Sequence, residues 1–138
     1  MTATSTKSRK AKARSLQNAI AADICAAFPP LGSADVHPVI MGCSGMDICL
    51  SSRARDAFPY AIECKNQEAM SIWSAIKQCE TNANKEKLAP LLIIKRNHTP
   101  PYVVMQWDFF LHLLAPGNLT TGMEDETAAI NAYGRDDL

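Results

Sequence analysis

Apolar residues recur every four positions near the start of the chain, at Leu16, Ile20, Ile24 and Phe28. This spacing is typical of one face of an α-helix, and we predict a helix over residues 8–28. Pro29 and Pro30 end the helix, because proline lacks the backbone N–H that a helix interior needs. Residues 1–7 are rich in Thr, Ser and Ala without apolar periodicity, so we expect a disordered N-terminal tail.

Short apolar or β-branched segments alternate with turn residues through the middle of the chain. We predict strands over residues 36–41, 46–50, 60–64, 91–94 and 102–105. The first two strands are separated by a turn at residues 42–45, because paired glycines free the backbone for tight geometry. Residues 51–59 are polar and are expected to form a connection without regular structure.

Two further helices are predicted, over residues 69–84 and 107–114. The apolar residues on one side of the first are Ile72, Trp73, Ile76, Cys79 and Ala83. The order α-β-β-β-α-β-β-α indicates an α/β fold, in which a single domain over residues 8–117 has a mixed β-sheet flanked by helices. Residues 118–138 lose periodicity and turn acidic, so we expect a mobile C-terminal tail.

Charge is unevenly distributed along a chain whose 14 basic and 14 acidic residues balance. The first fourteen residues carry no acid and five basic residues, Lys7, Arg9, Lys10, Lys12 and Arg14. Such a basic arm is compatible with a phosphate-rich partner, although it also suits a solvated terminus. No apolar run approaches the roughly 20 residues of a membrane span, and no secretory signal precedes the domain. The five cysteines form no CxxC pair, which indicates reduced thiols in a cytoplasmic protein.

Three charged residues lie in or beside predicted strands. Asp47 interrupts a short apolar strand directly after the glycine turn, and Glu63 lies near the end of the next strand. Strands linked by a short connection usually pair, so the two carboxylates can project toward one point. Lys65 lies two residues after Glu63, and the period of a strand puts both on the same face. An Asp…Glu-x-Lys pattern also occurs by chance, but charges on buried strands need a reason.

This cluster favours metal-dependent hydrolysis. Two adjacent carboxylates raise each other's pKa, and a divalent cation removes that penalty. Hard oxygen ligands suit Mg²⁺ or Mn²⁺, which also bind phosphate. Lys65 can orient the attacking water or stabilise the developing negative charge. The three residues are therefore a coherent site for phosphodiester hydrolysis.

The segments Gly42-Cys43-Ser44-Gly45-Met46-Asp47-Ile48 and Ile62-Glu63-Cys64-Lys65-Asn66 resemble the PD-(D/E)XK nuclease superfamily. More narrowly, residues 9–114 are similar to the archaeal-type Holliday junction resolvases and to small endonucleases encoded by phages. The resemblance implies that Asp47 and Glu63 bind Mg²⁺, with the backbone carbonyl of Cys64 as a further ligand. It also implies that Lys65 assists the attacking water.

The resemblance extends to further residues with expected roles. The first helix of the resolvases supplies a glutamate to the metal site, and Gln17 stands at the matching position, where it is a weaker ligand. We expect the remaining contacts to DNA from Arg9, Lys10, Lys12, Arg14, Ser44, Asn66 and Gln78.

The resulting hypothesis is a Mg²⁺-dependent DNA endonuclease that is structure-selective and acts as a homodimer on branched DNA, without a membrane. One alternative is a phage or restriction-type nuclease acting on duplex or flapped DNA. A second is a non-catalytic DNA-binding module that keeps the fold, and a third is an interaction protein that binds no nucleic acid.

Overall fold

A computed structural model of the chain describes residues 3–40 and 45–115. Residues 42–44 of the predicted turn, with Ser44, and the predicted tail at 118–138 lie outside the described residues. The elements are α1 (Ala3–Ala27), β1 (Val36–Pro38), β2 (Ile48–Leu50), α2 (Ser52–Ala57), β3 (Tyr60–Asn66), α3 (Ile72–Glu86), β4 (Ala89–Lys95), β5 (Tyr102–Val104) and α4 (Trp107–Leu114). The predicted α/β class is confirmed, with α2 as an additional helix.

The first helix begins earlier than predicted. It starts at Ala3 rather than at residue 8, so residues 3–7, which were predicted to belong to a disordered tail, are helical in the structure. These residues contain neither proline nor glycine, so nothing in them stops a helix that is nucleated further along the chain. The residues that α1 buries are Leu16, Ile20, Ala21 and Ile24. The predicted apolar face is therefore confirmed up to Ile24, whereas Phe28 lies beyond the helix and is exposed.

The first two strands are shorter than predicted and form an antiparallel pair. Val36 lies opposite Leu50, and Pro38 lies opposite Ile48. Pro38 is the last residue of β1, and Ile40 beyond it is 62% exposed. Between this pair and β3 lies α2, which replaces the predicted connection. Ser51 begins α2, since its hydroxyl oxygen accepts a hydrogen bond from the N–H of Ala54 at 3.1 Å.

The other three strands form a mixed sheet in the order β3-β4-β5. Strands β3 and β4 are parallel, as their connection through α3 requires, and β5 is antiparallel to β4. The buried residues Ala75, Cys79 and Leu92 pack between α3 and this sheet. Trp73 was predicted on the buried side of α3 but is 77% exposed. It lies about 120° around the helix from the centre of the buried residues, at 100° per residue.

The chain divides into two compact units, residues 1–104 and 105–138. The described part of the second unit contains α4, whose bounds agree with the prediction. Phe109 is its buried residue, and Trp107 and Phe110 are exposed and in ring contact. Of the helices in the described part of the chain, none is long and apolar enough to cross a membrane.

Candidate active site

Asp47 joins the two sheets through its backbone. Its N–H donates to the carbonyl of Ile62 in β3 at 3.0 Å, and its own carbonyl accepts from the N–H of Val39 at 2.8 Å. Asp47 directly precedes β2, one residue outside the strand in which it was predicted. Hydrogen bonds on both sides fix the backbone of Asp47 between β1 and β3.

The carboxylate of Asp47 lies at the edge of β3. Its Oδ2 accepts a hydrogen bond from the N–H of Cys64 at 2.7 Å. In an extended strand the N–H and the carbonyl of one residue point to the same edge, and Ile62 and Cys64 share this orientation. The carbonyl of Cys64 therefore lies on the edge of β3 that Asp47 occupies.

Glu63 and Lys65 project from the same face of β3, as the strand period predicted. Nζ of Lys65 lies 3.6 Å from Oε1 of Glu63. Glu63 is only 4% exposed and, within residues 3–40 and 45–115, is the one charged residue in the buried core. A buried charge is costly unless it is paired or serves a function. The structure thus brings Asp47, Glu63 and Lys65 together on and beside one strand.

Asn82 of α3 is a member of this cluster that sequence reasoning missed. Its Nδ2 donates to Oε2 of Glu63 at 3.3 Å. Its Oδ1 lies 3.1 Å from the point where a Cβ at Gly45 would stand, and Gly45 has a φ of +51°. The available signal was helical spacing, because Asn82 follows Gln78 by four residues and therefore shares its side of α3.

Burial dominates the electrostatics of the two acids, and repulsion from Asp47 adds to it at Glu63. Desolvation raises the pKa of Glu63, and the nearby charge of Asp47 raises it further, against the lowering effects of Lys65 and Asn82. Desolvation also raises the pKa of Asp47, against the opposing effects of the Cys64 N–H and of Lys65. Lys65 and the neutral donors therefore only partly offset the cost of holding both carboxylates charged.

Comparison with known proteins identifies a family for the chain. The family model described as "Phage putative PDDEXK endonuclease" matches residues 32–120. The chain belongs to this family of phage PD-(D/E)XK endonucleases. Asp47, Glu63, Lys65 and Asn82 all lie within the matched range, and membership of this family indicates a nuclease. No curated protein and no solved structure matches the chain.

The oxygen atoms of this cluster fit a hard divalent cation. Asp47, Glu63 and the carbonyl of Cys64 carry oxygen donors, and a bound cation would offset the cost of keeping both half-buried or buried acids charged. The described residues contain no group of three His, Cys, Asp or Glu side chains that could hold a metal ion. Mg²⁺ does not require one, because it commonly binds through one or two carboxylates and keeps several waters.

Three other predicted site residues have no described hydrogen bond or ion pair to the cluster. Gln17 is half-buried on α1, and none of the described hydrogen bonds or ion pairs joins it to Asp47, Glu63 or Lys65. Gln78 is exposed on α3, one turn before Asn82. Asn66 closes β3 and donates from Nδ2 to the carbonyl of Lys12 at 3.1 Å, which ties the strand to α1.

The basic residues of α1 fall into two groups. Arg9 and Lys10 are exposed. Nζ of Lys12 lies 3.8 Å from Oε1 of Glu68, and Nη1 of Arg14 donates to the carbonyl of Val39 at 3.1 Å. Lys12 and Arg14 therefore contact the body of the protein, and all four residues lie outside the matched range.

Proposed function

We propose that the protein is a Mg²⁺-dependent endonuclease that hydrolyses phosphodiester bonds of DNA at Asp47, Glu63 and Lys65. The observation that carries the proposal is the buried Glu63, which lies beside Asp47 and 3.6 Å from the ammonium group of Lys65. Membership of a PD-(D/E)XK endonuclease family supports a catalytic role for this cluster. Mn²⁺ is expected to substitute, because the same oxygen donors suit both ions.

Each residue has a distinct role in the proposal. Asp47, Glu63 and the Cys64 carbonyl hold the metal ion. When bound, the ion supplies Lewis-acid stabilisation of the negative charge that develops on the phosphate. The ammonium group of Lys65 orients the attacking water and adds positive charge at the reacting phosphate. Asn82 keeps the Glu63 carboxylate in one orientation through its amide.

For the substrate, we propose branched DNA cut by a homodimer, as the resemblance to Holliday junction resolvases implies. Paired cuts on two strands need two sites related by symmetry, which a dimer supplies. A phage or restriction-type activity on duplex or flapped DNA uses the same residues and is the alternative. We further propose that the protein acts in the cytoplasm, that of the host cell if a phage encodes it.

The test is cleavage of a labelled four-way junction beside a matched linear duplex, with Mg²⁺, Mn²⁺ or EDTA. Glu63→Ala should abolish cutting, and Asp23→Ala, at an exposed acid of α1, should leave it unchanged. Cutting of the junction alone supports the resolvase-like preference, and equal cutting of both substrates supports the alternative. Light scattering under the same conditions gives the oligomeric state.

One observation favours a second candidate function, a DNA-binding module without catalysis. The resemblance to the resolvases puts Gln17 where they carry a glutamate, and no described hydrogen bond or ion pair joins it to the cluster. This candidate predicts salt-sensitive binding of DNA and no cutting with any divalent ion. In that case Gln17→Glu is the first substitution with which to restore activity.

A further inference from the structure

A groove of about 460 Å³ lies between α1 and the segment around β1. Its polar lining comes from Arg14, Asn18, Ser33 and His37, and its apolar lining includes Pro38 and Ile40. No acidic side chain lines it, although acids and bases balance over the whole chain. The groove therefore has the charge that an anionic ligand requires.

The polar side chains that line the groove can donate hydrogen bonds to a ligand. Arg14 uses Nη1 to bind the carbonyl of Val39, and its guanidinium carries further N–H donors. The exposed amide of Asn18 adds donors from the next turn of α1. Nδ1 of His37 donates to the carbonyl of Ser33 at 3.2 Å, which fixes the ring at the side of the groove.

A line of exposed polar and basic residues on α1 leads into this groove. Lys7, Lys10, Arg14 and Asn18 follow one another at spacings of three and four, so they share one side of the helix. The first three are cations, and this side of α1 carries positive charge from its first turns down to the groove. An extended polyanion is the kind of ligand that such an arrangement attracts.

The groove adjoins the candidate active site through one residue. The carbonyl of Val39 accepts from Arg14, and its N–H donates to the carbonyl of Asp47 at 2.8 Å. Arg14 is therefore connected to the backbone of Asp47 through Val39, the residue that follows β1. The groove thus lies close to the segment that carries Asp47.

We infer that the groove binds one nucleotide unit of the DNA strand that flanks the cleaved phosphodiester. Arg14 and Asn18 hold its phosphate, and Pro38 and Ile40 pack against its sugar or base. The lysines of α1 continue the contact along the strand. This inference rests on the proposed nuclease function, because it takes the strand from the cleavage site into the groove.

Binding can be separated from cleavage with Glu63→Gln as the common background and a 20-base-pair fluorescein-labelled duplex as the probe. Asn18→Asp puts a negative charge into the groove at an exposed position of α1. We expect its Kd, measured by anisotropy, to rise about tenfold and the salt dependence of log Kd to lose about one charge equivalent. The matched control is Asn84→Asp on the exposed side of α3, which should change Kd less than twofold.

The apolar lining is tested with Ile40→Ala, which should raise Kd about threefold without changing the salt dependence. Its control is Val103→Ala, because Val103 is 57% exposed on β5 and Ile40 is 62% exposed. Equal Kd values for Asn18→Asp and Asn84→Asp would overturn the inference. If Asn18→Asp weakens binding but wild type cuts no DNA, the groove binds DNA as inferred, and it is the nuclease proposal that fails. If wild type cuts and Asn18→Asp binds normally, only the groove fails.

Discussion

The amide of Asn82 and the carboxylate of Glu63 connect α3 to the candidate active site, with Nδ2 3.3 Å from Oε2. Lys65 lies near the other oxygen, 3.6 Å from Oε1. Each oxygen of the buried Glu63 thus has its own partner, one neutral and one cationic. The orientation of this carboxylate is therefore set partly by a helix that supplies no acid to the site.

Asn82→Ala should weaken the site without removing any proposed metal ligand. The loss of one hydrogen bond to a charged group corresponds to about 1.5 kcal/mol, or roughly a tenfold effect. We expect the Mg²⁺ concentration for half-maximal cleavage to rise about tenfold, with a smaller change in the Kd for DNA. Metal titrations of cleavage and of DNA binding measure the two quantities separately.

The matched control for Asn82→Ala is Asn84→Ala, which removes the same amide from an exposed position two residues away. An unchanged metal requirement in Asn82→Ala would show that the hydrogen bond does not organise the site. Asn82→Gln can restore part of the effect if the amide itself matters. A purely structural role predicts instead a lower melting temperature with an unaltered metal requirement.

Glu63→Gln should stabilise the metal-free protein at neutral pH while it abolishes cleavage. Burial and the neighbouring Asp47 raise the pKa of Glu63, so the folded state disfavours its charged form. A neutral amide of the same shape removes that cost, which is on the order of 1 kcal/mol or more for a buried group. Asp23→Asn, at an exposed acid of α1, is the control and should leave the melting temperature unchanged.

The pH dependence of this effect has a defined sign. Because the folded-state pKa of Glu63 is raised, its favourable contribution is present below the unfolded value of about 4.5 and is lost as pH rises through the folded pKa. The melting temperatures of wild type and Glu63→Gln should therefore diverge as pH rises from 4 to 8. Mg²⁺ should raise the melting temperature of wild type more than that of the variant. If the melting temperatures of the two proteins change in parallel with pH, the fold does not disfavour the charged form of Glu63.

Features that depend on local periodicity could be predicted from the sequence, whereas features that depend on packing between distant elements could not. The period of a strand placed Glu63 and Lys65 on one face, and helical spacing placed α4. Asn82 escaped prediction because helical spacing places it on the side of Gln78 but cannot show that it contacts Glu63, which depends on how α3 packs on β3. The signal for α2 was present in the cap at Ser51, but the polar composition of the segment obscured it.

Gly45→Ala should damage both stability and activity. Gly45 has a φ of +51°, and this backbone conformation costs a residue with a Cβ roughly 1–2 kcal/mol of stability. Its new methyl group would also stand 3.1 Å from Oδ1 of Asn82, and the shift of that amide would disturb Glu63. Denaturant unfolding and cleavage rate measure the two effects.

The double variant of Gly45→Ala and Asn82→Ala separates the two causes of this loss. The steric part disappears when the Asn82 side chain is removed, but the cost of the backbone conformation stays. We therefore expect the double variant to be more stable than the sum of the single effects predicts. Gly32→Ala is the control, because a Cβ there meets nothing within 4 Å. Strict additivity would show that Gly45 and Asn82 are uncoupled.

Asp35→Asn should destabilise the fold above about pH 4 but not at pH 2. Oδ2 of Asp35 lies 2.7 Å from Nη2 of Arg53, and its Oδ1 accepts from the hydroxyl of Ser51 at 2.8 Å. The Arg53 hydrogen bond foremost, with those from Gly32 and Ser51, lowers the pKa of Asp35 to about 2. The carboxylate thereby joins the start of β1 to the first turn of α2.

A lowered folded-state pKa gives stability that is present above the unfolded value of 3.8 and is lost as pH falls toward 2. The melting temperatures of wild type and Asp35→Asn, measured between pH 2 and 7, should therefore diverge as pH rises through this window. Asp56→Asn, at an exposed acid of α2, should follow wild type throughout. A difference between wild type and Asp35→Asn that stays constant down to pH 2 would assign the effect to shape or hydrogen-bond geometry instead of charge.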